Sequence, residues 1–277
     1  REEGDGGEGQ DRVMVLIPLK DCARCMGPLM ERIKALTYDK MMVSLCFFES
    51  DSDDNTTYES VAKHESYLNT TFAKYQYFRQ DFGYPMPHNR HELSVQDRRR
   101  IILARSRNWA ADVCLGSEEW VLWMDSDMVR VPPDVIQTTL KPKRRVVAPN
   151  VVLGRVGGRS YDLNTWHEIR SPGQEQGRVL YEGYPKHMFA EDIGDRVSLS
   201  DMRKTKNYGK HDVEKVEGVG SALLLVHASL HRMGVRFAEH PYRRRLESEG
   251  FGLIALSAGA QPYGMPSFDV PHGDCPD

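Results

Sequence analysis

The stretch WVLWMDSDMVRVPPDV, residues 120–135, decides the fold. Its first five residues are apolar with no polar alternation, the pattern of a strand buried on both faces of a parallel sheet. Asp125 and Asp127 then follow one residue apart. Two carboxylates on a loop leaving a parallel strand lie at the carboxyl edge of the sheet, where open α/β folds hold ligands. Like charges there are costly unless a cation neutralises them. Mg²⁺ or Mn²⁺ takes oxygen ligands and keeps positions open for phosphates, so the pair points to a metal and diphosphate site. The alternative is that one aspartate caps the helix that Pro132-Pro133-Asp134 opens and that runs to about Leu140.

Outward from this stretch, strand and helix patterns alternate. RVMVLIPL (12–19) is a short apolar strand, GPLMERIKAL (27–36) has apolar residues at helical spacing, and MMVSLCFFE (41–49) is a second strand. Strand, helix and strand at this spacing predict a parallel βαβ unit. Residues from Ser60 to about Gln80 predict a polar-aromatic helix, followed by the loop DFGYPMPHNRHELS. VQDRRRIILARSRNWAADVCL (95–115) predicts a long helix with Ile101, Ile102, Ala104, Trp109, Ala110 and Val113 as its buried stripe. RRVVAPNVV is a further strand, and residues 154–215 are Gly-rich and irregular, as functional segments often are. EGVGSALLLVHASLHRMG predicts turn, strand and short helix, ESEGFGLIALSAGA a helix, and PSFDVPHGDC a closing segment.

With 277 residues, 40% hydrophobic and 28% charged, the chain can bury a large core in one domain or two joined ones. A formal net charge of −3 gives no field to hold nucleic acid, and the runs at Arg98–Arg100, Lys143–Arg145 and Arg243–Arg245 read as solvated faces. The acidic, Gly-rich REEGDGGEGQD (1–11) cannot nucleate packing and reads as a disordered stem remnant. No run of about 18 apolar residues occurs. Five cysteines are too few for a disulfide scaffold; Cys22 and Cys25 form a CxxC, read as buried residues or one local bridge. Asn55-Thr56-Thr57 and Asn69-Thr70-Thr71 are N-glycosylation patterns that matter only in a lumenal chain.

The ordered segments QDRRRIILARSRN, WVLWMDSDMVRVPPDVI, SYDLNTWHE, EGY, EGVGSALLLVHASLHRMG, YRRRLESEGFGLIAL and GMPSFDVPHGD resemble glycosyltransferase family 62, the fungal Golgi mannan polymerase subunits, colinearly over residues 12–275. The resemblance implies an α/β GT-A fold: one Rossmann-like nucleotide-sugar-binding domain over 12–277 with a mixed central sheet. Its nucleotide-binding half would span about 12–150 and its acceptor-side half about 151–277. It also implies a GDP-mannose donor, Mn²⁺ (or Mg²⁺), retaining α-mannosyl transfer onto a mannose-containing glycan, and related subunits in a hetero-oligomer. Members are type II membrane proteins of the Golgi lumen, and the acidic start fits the end of a stem following an anchor.

Carried over by position, Asp127 would ligate the metal, Asp125 would sit near the ribose and metal waters, and His272 would complete the metal set. Without the resemblance His272 reads as a surface residue. Asp162 matches an aspartate at the donor sugar, where a carboxylate can stabilise positive charge at the anomeric carbon; by itself it reads as a turn former. Glu217 would be a catalytic residue, in a segment that matches a family motif at the donor and acceptor cleft, although members often have Asp there. Beside it, Gly218 and Gly220 let backbone approach a ligand or form a tight turn. Glu247 and Glu249 begin a helix, either binding or deprotonating the acceptor hydroxyl or standing as solvated first-turn acids. Pro18 and Lys20 are the expected cradle for base and ribose, with Glu49 contributing; Arg105 and Arg107 would reach the diphosphate or form surface ion pairs. The rival functions are a transferase with another donor, a non-catalytic subunit of a transferase complex, and a metal-dependent phosphohydrolase.

Overall fold

The computed structural model describes residues 10–83, 93–128, 130–168, 196–243 and 245–273. The EGY segment at 182–184, the first nine residues of the acidic start, residues 84–92 of the loop and Cys275 lie outside them. Strand β1 (Val13–Leu19), helix α1 (Met26–Ala35) and strand β2 (Val43–Glu49) form the expected βαβ unit, with β1 and β2 parallel. Helices α2 (Thr56–Ala62) and α3 (Glu65–Thr71) lead to strand β3 (Lys74–Arg79). The long helix α4 (Leu93–Cys114), strand β4 (Trp120–Met124), helix α5 (Val135–Leu140) and strand β5 (Val146–Leu153) follow. Residues β6 (Trp166–Glu168) and β7 (Arg196–Ser198) pair as a small ribbon. After them come α6 (Leu199–Thr205), β8 (Glu214–Lys215), β9 (Leu223–His227), α7 (Ala228–Arg232), β10 (Ala238–Tyr242), β11 (Arg245–Leu246), α8 (Glu247–Ser257) and β12 (Tyr263–His272).

The central sheet has the order β3-β2-β1-β4-β9-β5-β12-β8. Strands β1 to β4 run parallel, β9 is antiparallel to both β4 and β5, and β12 runs parallel to β5. Hence β1, β4, β5 and β12 all end at one edge, and the reversed β9 begins there. That one reversal brings the Gly-rich segment before β9 to the edge where Asp125 leaves β4.

Both sheet faces are covered, which is why β1 and β4 lack polar alternation. Val13, Val15, Ile17, Leu122 and Met124 point into a core with α1 and α5, whereas Met14, Leu16, Val121 and Trp123 point into a second core with α4 and α8. A disulfide between the buried Cys46 of β2 and Cys114, the last residue of α4, ties that helix to the sheet. Cys22 is a buried free thiol, so no local bridge closes the CxxC.

Three sequence expectations change. Residues 74–79, read as helix, are the edge strand β3: alternating aromatics favour a pleated surface, with Tyr75 against Phe47 and Phe78 against Trp109. Of the expected stripe of α4, Ala104 and Ala110 are buried, while Ile101, Ile102, Trp109 and Val113 are only half-buried and Gln96, Arg100, Ser106, Arg107 and Asn108 are buried instead. This helix turns polar groups inward because it lines a polar cleft. Finally, neither Asp125 nor Asp127 caps α5, whose N-cap residue is Asp134. Among the described residues no helix is long and apolar enough to cross a membrane.

Candidate active site

At the carboxyl edge, Asp125 and Asp127 from the loop after β4 meet His272, the last residue of β12. Their ligand atoms all lie within 4.8 Å of one another. A register shift between Met265 and Asp269 in the β12–β5 pairing re-aims the end of β12 toward this loop. His272 Nε2 lies 3.0 Å from Asp127 Oδ1, and the Asp127 carbonyl accepts from Gly273 N at 3.3 Å. Tyr161 stacks flat on the imidazole, with ring centroids 3.7 Å apart at 13°. His272 Nδ1 is buried without a hydrogen-bond partner. Burial opposes charge on His272, but the Asp127 and Asp125 carboxylates outweigh it and raise its pKa. Two carboxylates and an imidazole converging in this way fit a divalent cation.

Arg107 is 4% exposed at its side chain and grips two carboxylates at once. Its Nη2 donates to Asp125 Oδ1 at 2.9 Å and its Nη1 to Glu247 Oε1 at 2.7 Å. Burial pushes Asp125 up to about 6 even though Arg107 pulls the other way. For Glu247, burial is outweighed by Arg107, Arg100 and the Ser221 hydroxyl, and its carboxyl is held below the ordinary range. Glu247 opens α8 with a φ of 49°, a left-handed backbone that costs a non-glycine residue about 1–3 kcal/mol. A buried, ionised carboxylate held on strained backbone is typical of a functional position. The reading of Glu247 and Glu249 as solvated acids is thereby corrected, since both are buried.

Asp162 joins the same cleft. Its Oδ1 accepts from Asn164 N at 3.1 Å, and its pKa is raised chiefly by burial, with the Glu247 charge adding to the effect. A Cβ at Gly220 would overlap the Asp162 carboxylate, so a larger residue there must displace that side chain. Likewise a Cβ at Gly218 would overlap the Trp166 indole. Both glycines therefore permit close packing of the loop against residues 162–166. Gly220→Ala is expected to cost about 1–3 kcal/mol through overpacking, read as a lower denaturation midpoint; an unchanged midpoint would mean that Asp162 moves aside freely.

The other expected residues are placed elsewhere. Glu217 Oε2 accepts from Glu168 N at 2.8 Å and lies 3.1 Å from His167 Nδ1, which anchors β6. Glu249 Oε1 accepts from Trp166 Nε1 at 2.8 Å and Arg196 Nη1 at 2.7 Å, a buried lock between α8 and the β6–β7 ribbon. Arg105 pairs at 3.0 Å with Glu239, with 46% of its side chain exposed, so of the two arginines it is Arg107 that meets the aspartates. Buried Glu49 accepts from Tyr77 Oη and lies 3.8 Å from Arg79. Pro18 sits in β1 opposite Phe48, and Lys20 Nζ donates to the Asp51 carbonyl. The loops after β1 and β2 are laced together there, with left-handed backbone at Asp21 and Asp51.

Sequence reasoning missed Tyr161 as the platform for His272 and Arg107 as a clamp. The signal for Arg107 lay in the spacing, since it occupies a core position between Ala104 and Ala111.

A family model described as Anp1 matches residues 1–241. The Mannan polymerase II complex ANP1 subunit of Saccharomyces cerevisiae is 27% identical over 288 residues, covering 97% of this chain and 56% of that protein. The Mannan polymerase complex subunit MNN9 of Candida albicans is 28% identical over 286 residues, covering 95% and 75%. The chain thus spans less than two thirds of its ANP1 relative. Among solved structures, the mannosyltransferase PcManGT from Pyrobaculum calidifontis, in complex with GDP-Man and Mn²⁺, superposes with a TM-score of 0.52 at 14% identity, covering 95% of this chain and 57% of that one. GalNAc-T7 with UDP, GalNAc and Mn²⁺ gives 0.55 at 12%, covering 95% and 43%. These likenesses establish the GT-A fold, an α/β architecture around a mixed eight-stranded sheet.

Proposed function

The chain belongs to the Anp1 family, and we propose on that premise that it is a metal-dependent, retaining glycosyltransferase of glycosyltransferase family 62. It moves mannose from GDP-mannose to a mannose-containing glycan. The observation that carries this reading is the convergence of Asp125, Asp127 and His272 at the carboxyl edge of a GT-A sheet. These three residues would hold Mn²⁺ or Mg²⁺, which supplies charge neutralisation for a departing diphosphate.

The chain's own residues do the rest. Residues 12–150 form the nucleotide-binding half in this reading, with the backbone of Pro18, Lys20 and the loop after β2 cradling base and ribose. Residues 151–277 form the acceptor side, although strands from both halves share one sheet. Asp162 accepts hydrogen bonds from donor-sugar hydroxyls, and the Gly218–Gly220 backbone passes close to the sugar. Glu247, kept ionised by Arg107, orients the acceptor hydroxyl and stabilises positive charge at the anomeric carbon. Glu49, Arg105, Glu217 and Glu249 hold their neighbouring strands and helices in place. The whole protein would act in the Golgi lumen behind an anchor, alongside related subunits, as its relatives are named subunits of mannan polymerase complexes.

A calorimetric panel of GDP-mannose, GDP-fucose, UDP-galactose and UDP-glucose with Mn²⁺ tests the donor. Binding of GDP-mannose alone, followed by transfer to a mannose-containing acceptor, is the expected result. Preference for another nucleotide sugar would overturn the assignment. Tight GDP-mannose binding with no turnover by the purified chain would favour the second reading, in which a partner subunit performs the chemistry; the subunit naming of the relatives supports that alternative.

A further inference from the structure

Two Asn-x-Thr tripeptides take no part in the cleft, and the structure separates them. In Asn55-Thr56-Thr57, the side-chain amide oxygen Oδ1 of Asn55 accepts from Arg79 Nη1 at 3.0 Å, and Thr57 is buried with its hydroxyl accepting from Cys22 N at 2.8 Å. Asn69-Thr70-Thr71 occupies the last turn of α3. There Asn69 and Thr70 are exposed and Thr71 is half-buried. Among the described residues no hydrogen bond engages the Asn69 amide, while the Thr70 hydroxyl donates to the carbonyls of Ser66 and Tyr67.

A second observation concerns the compartment. The Cys46–Cys114 disulfide joins two buried residues 68 positions apart. Such bonds form and persist in oxidising compartments, where Asn-x-Thr is an acceptor for N-linked glycans.

A third observation is what lies beside Asn69. Helix α3 packs against β3, the outermost strand of the sheet. An uncovered edge strand presents unpaired N–H and C=O groups that recruit other chains. β3 begins five residues after Asn69, and a bulky hydrated group on α3 would stand at that edge.

We propose that Asn69 carries an N-linked glycan. In the modification, Asn69 Nδ2 forms a bond to the anomeric carbon of an oligosaccharide delivered on a polyprenyl diphosphate. The bond from that carbon to the diphosphate oxygen breaks, the diphosphate leaves with the bonding pair, and the amide nitrogen gives up one proton.

The test uses the full-length protein purified from its own cells. It is treated with peptide N-glycosidase in heavy-oxygen water and read by tandem mass spectrometry. The peptide containing residue 69 is expected to carry heavy-oxygen aspartate there, and Asn69→Gln is expected to migrate faster by one glycan with unchanged donor binding. An unmodified Asn69, or a glycan confined to Asn55, overturns the proposal. Loss of sugar transfer without loss of the glycan would count against the proposed function alone, so the two failures are distinguishable.

Discussion

Asp127→Asn is expected to abolish sugar transfer while leaving the fold intact. The Asp127 side chain is 42% exposed, so a neutral amide of the same shape costs little in packing. The metal set, however, is reduced to one carboxylate and one imidazole, and the remaining carboxylate already gives one oxygen to Arg107. Affinity for Mn²⁺ should fall by more than the roughly 10- to 100-fold that losing an outer-shell partner costs. Calorimetry with Mn²⁺, paired with a transfer assay before and after EDTA, checks both points; activity that survives either treatment would sink the metal reading. The same titration has a pH signature. Ligand carboxylates and imidazole must be deprotonated to bind metal. Asp125 is pushed up to about 6 by burial against the pull of Arg107, and His272 is raised by Asp127 despite its burial. Both shifts favour the proton over the bare ligand. Mn²⁺ affinity should therefore weaken as pH falls through about 6, and binding near neutrality should release protons, seen as a buffer-dependent heat.

Arg107→Met is expected to destabilise the protein by about 3–5 kcal/mol, the range for stripping one partner from a buried ion pair. It leaves the carboxylates of Asp125 and Glu247 in the same pocket without the cation between them. Arg107→Lys should recover part of the stability but little activity, because an ammonium lacks the planar fork that meets both carboxylates. The informative control is Arg107→Met with Glu247→Gln. Removing the second charge should restore most of the denaturation midpoint, yet transfer should stay lost, because Glu247 no longer supplies its negative charge. Restored transfer in that double variant would reduce Arg107 and Glu247 to a structural pair.

Much of this was legible in the sequence because it rests on local pattern. The apolar run before Asp125 gave β4, the βαβ spacing gave β1 to β2, and the ordered motifs placed His272 beside the aspartates. What was not legible depends on contacts across the sheet. Lys74–Arg79 is held as a strand because β2 is there to pair with it. Glu249 and Glu217 look like site residues by position, but their charges are consumed by Trp166, Arg196 and the backbone of Glu168. Arg105 and Arg107 are two residues apart and equally basic, yet a half-turn of helix sends one to Glu239 at the surface and the other into the cleft. The core spacing marks Arg107 as the inward one of the two, and α8 supplies the Glu247 carboxylate that it meets.

The strand order also sets a schedule. β9 lies between β4 and β5, and β12 lies beyond β5, so the sheet is completed by segments made long after their neighbours. Asp125 waits 97 residues for the Ala222 carbonyl that its backbone N–H meets at 2.8 Å, and 147 residues for His272. A nascent chain that has emerged only as far as α7 holds the aspartates but lacks the imidazole. It cannot assemble the three-residue metal set during synthesis, and Glu247 is not yet present to meet Arg107. The candidate site is therefore completed late, when α8 and β12 bring Glu247 and His272 to Arg107 and the aspartates.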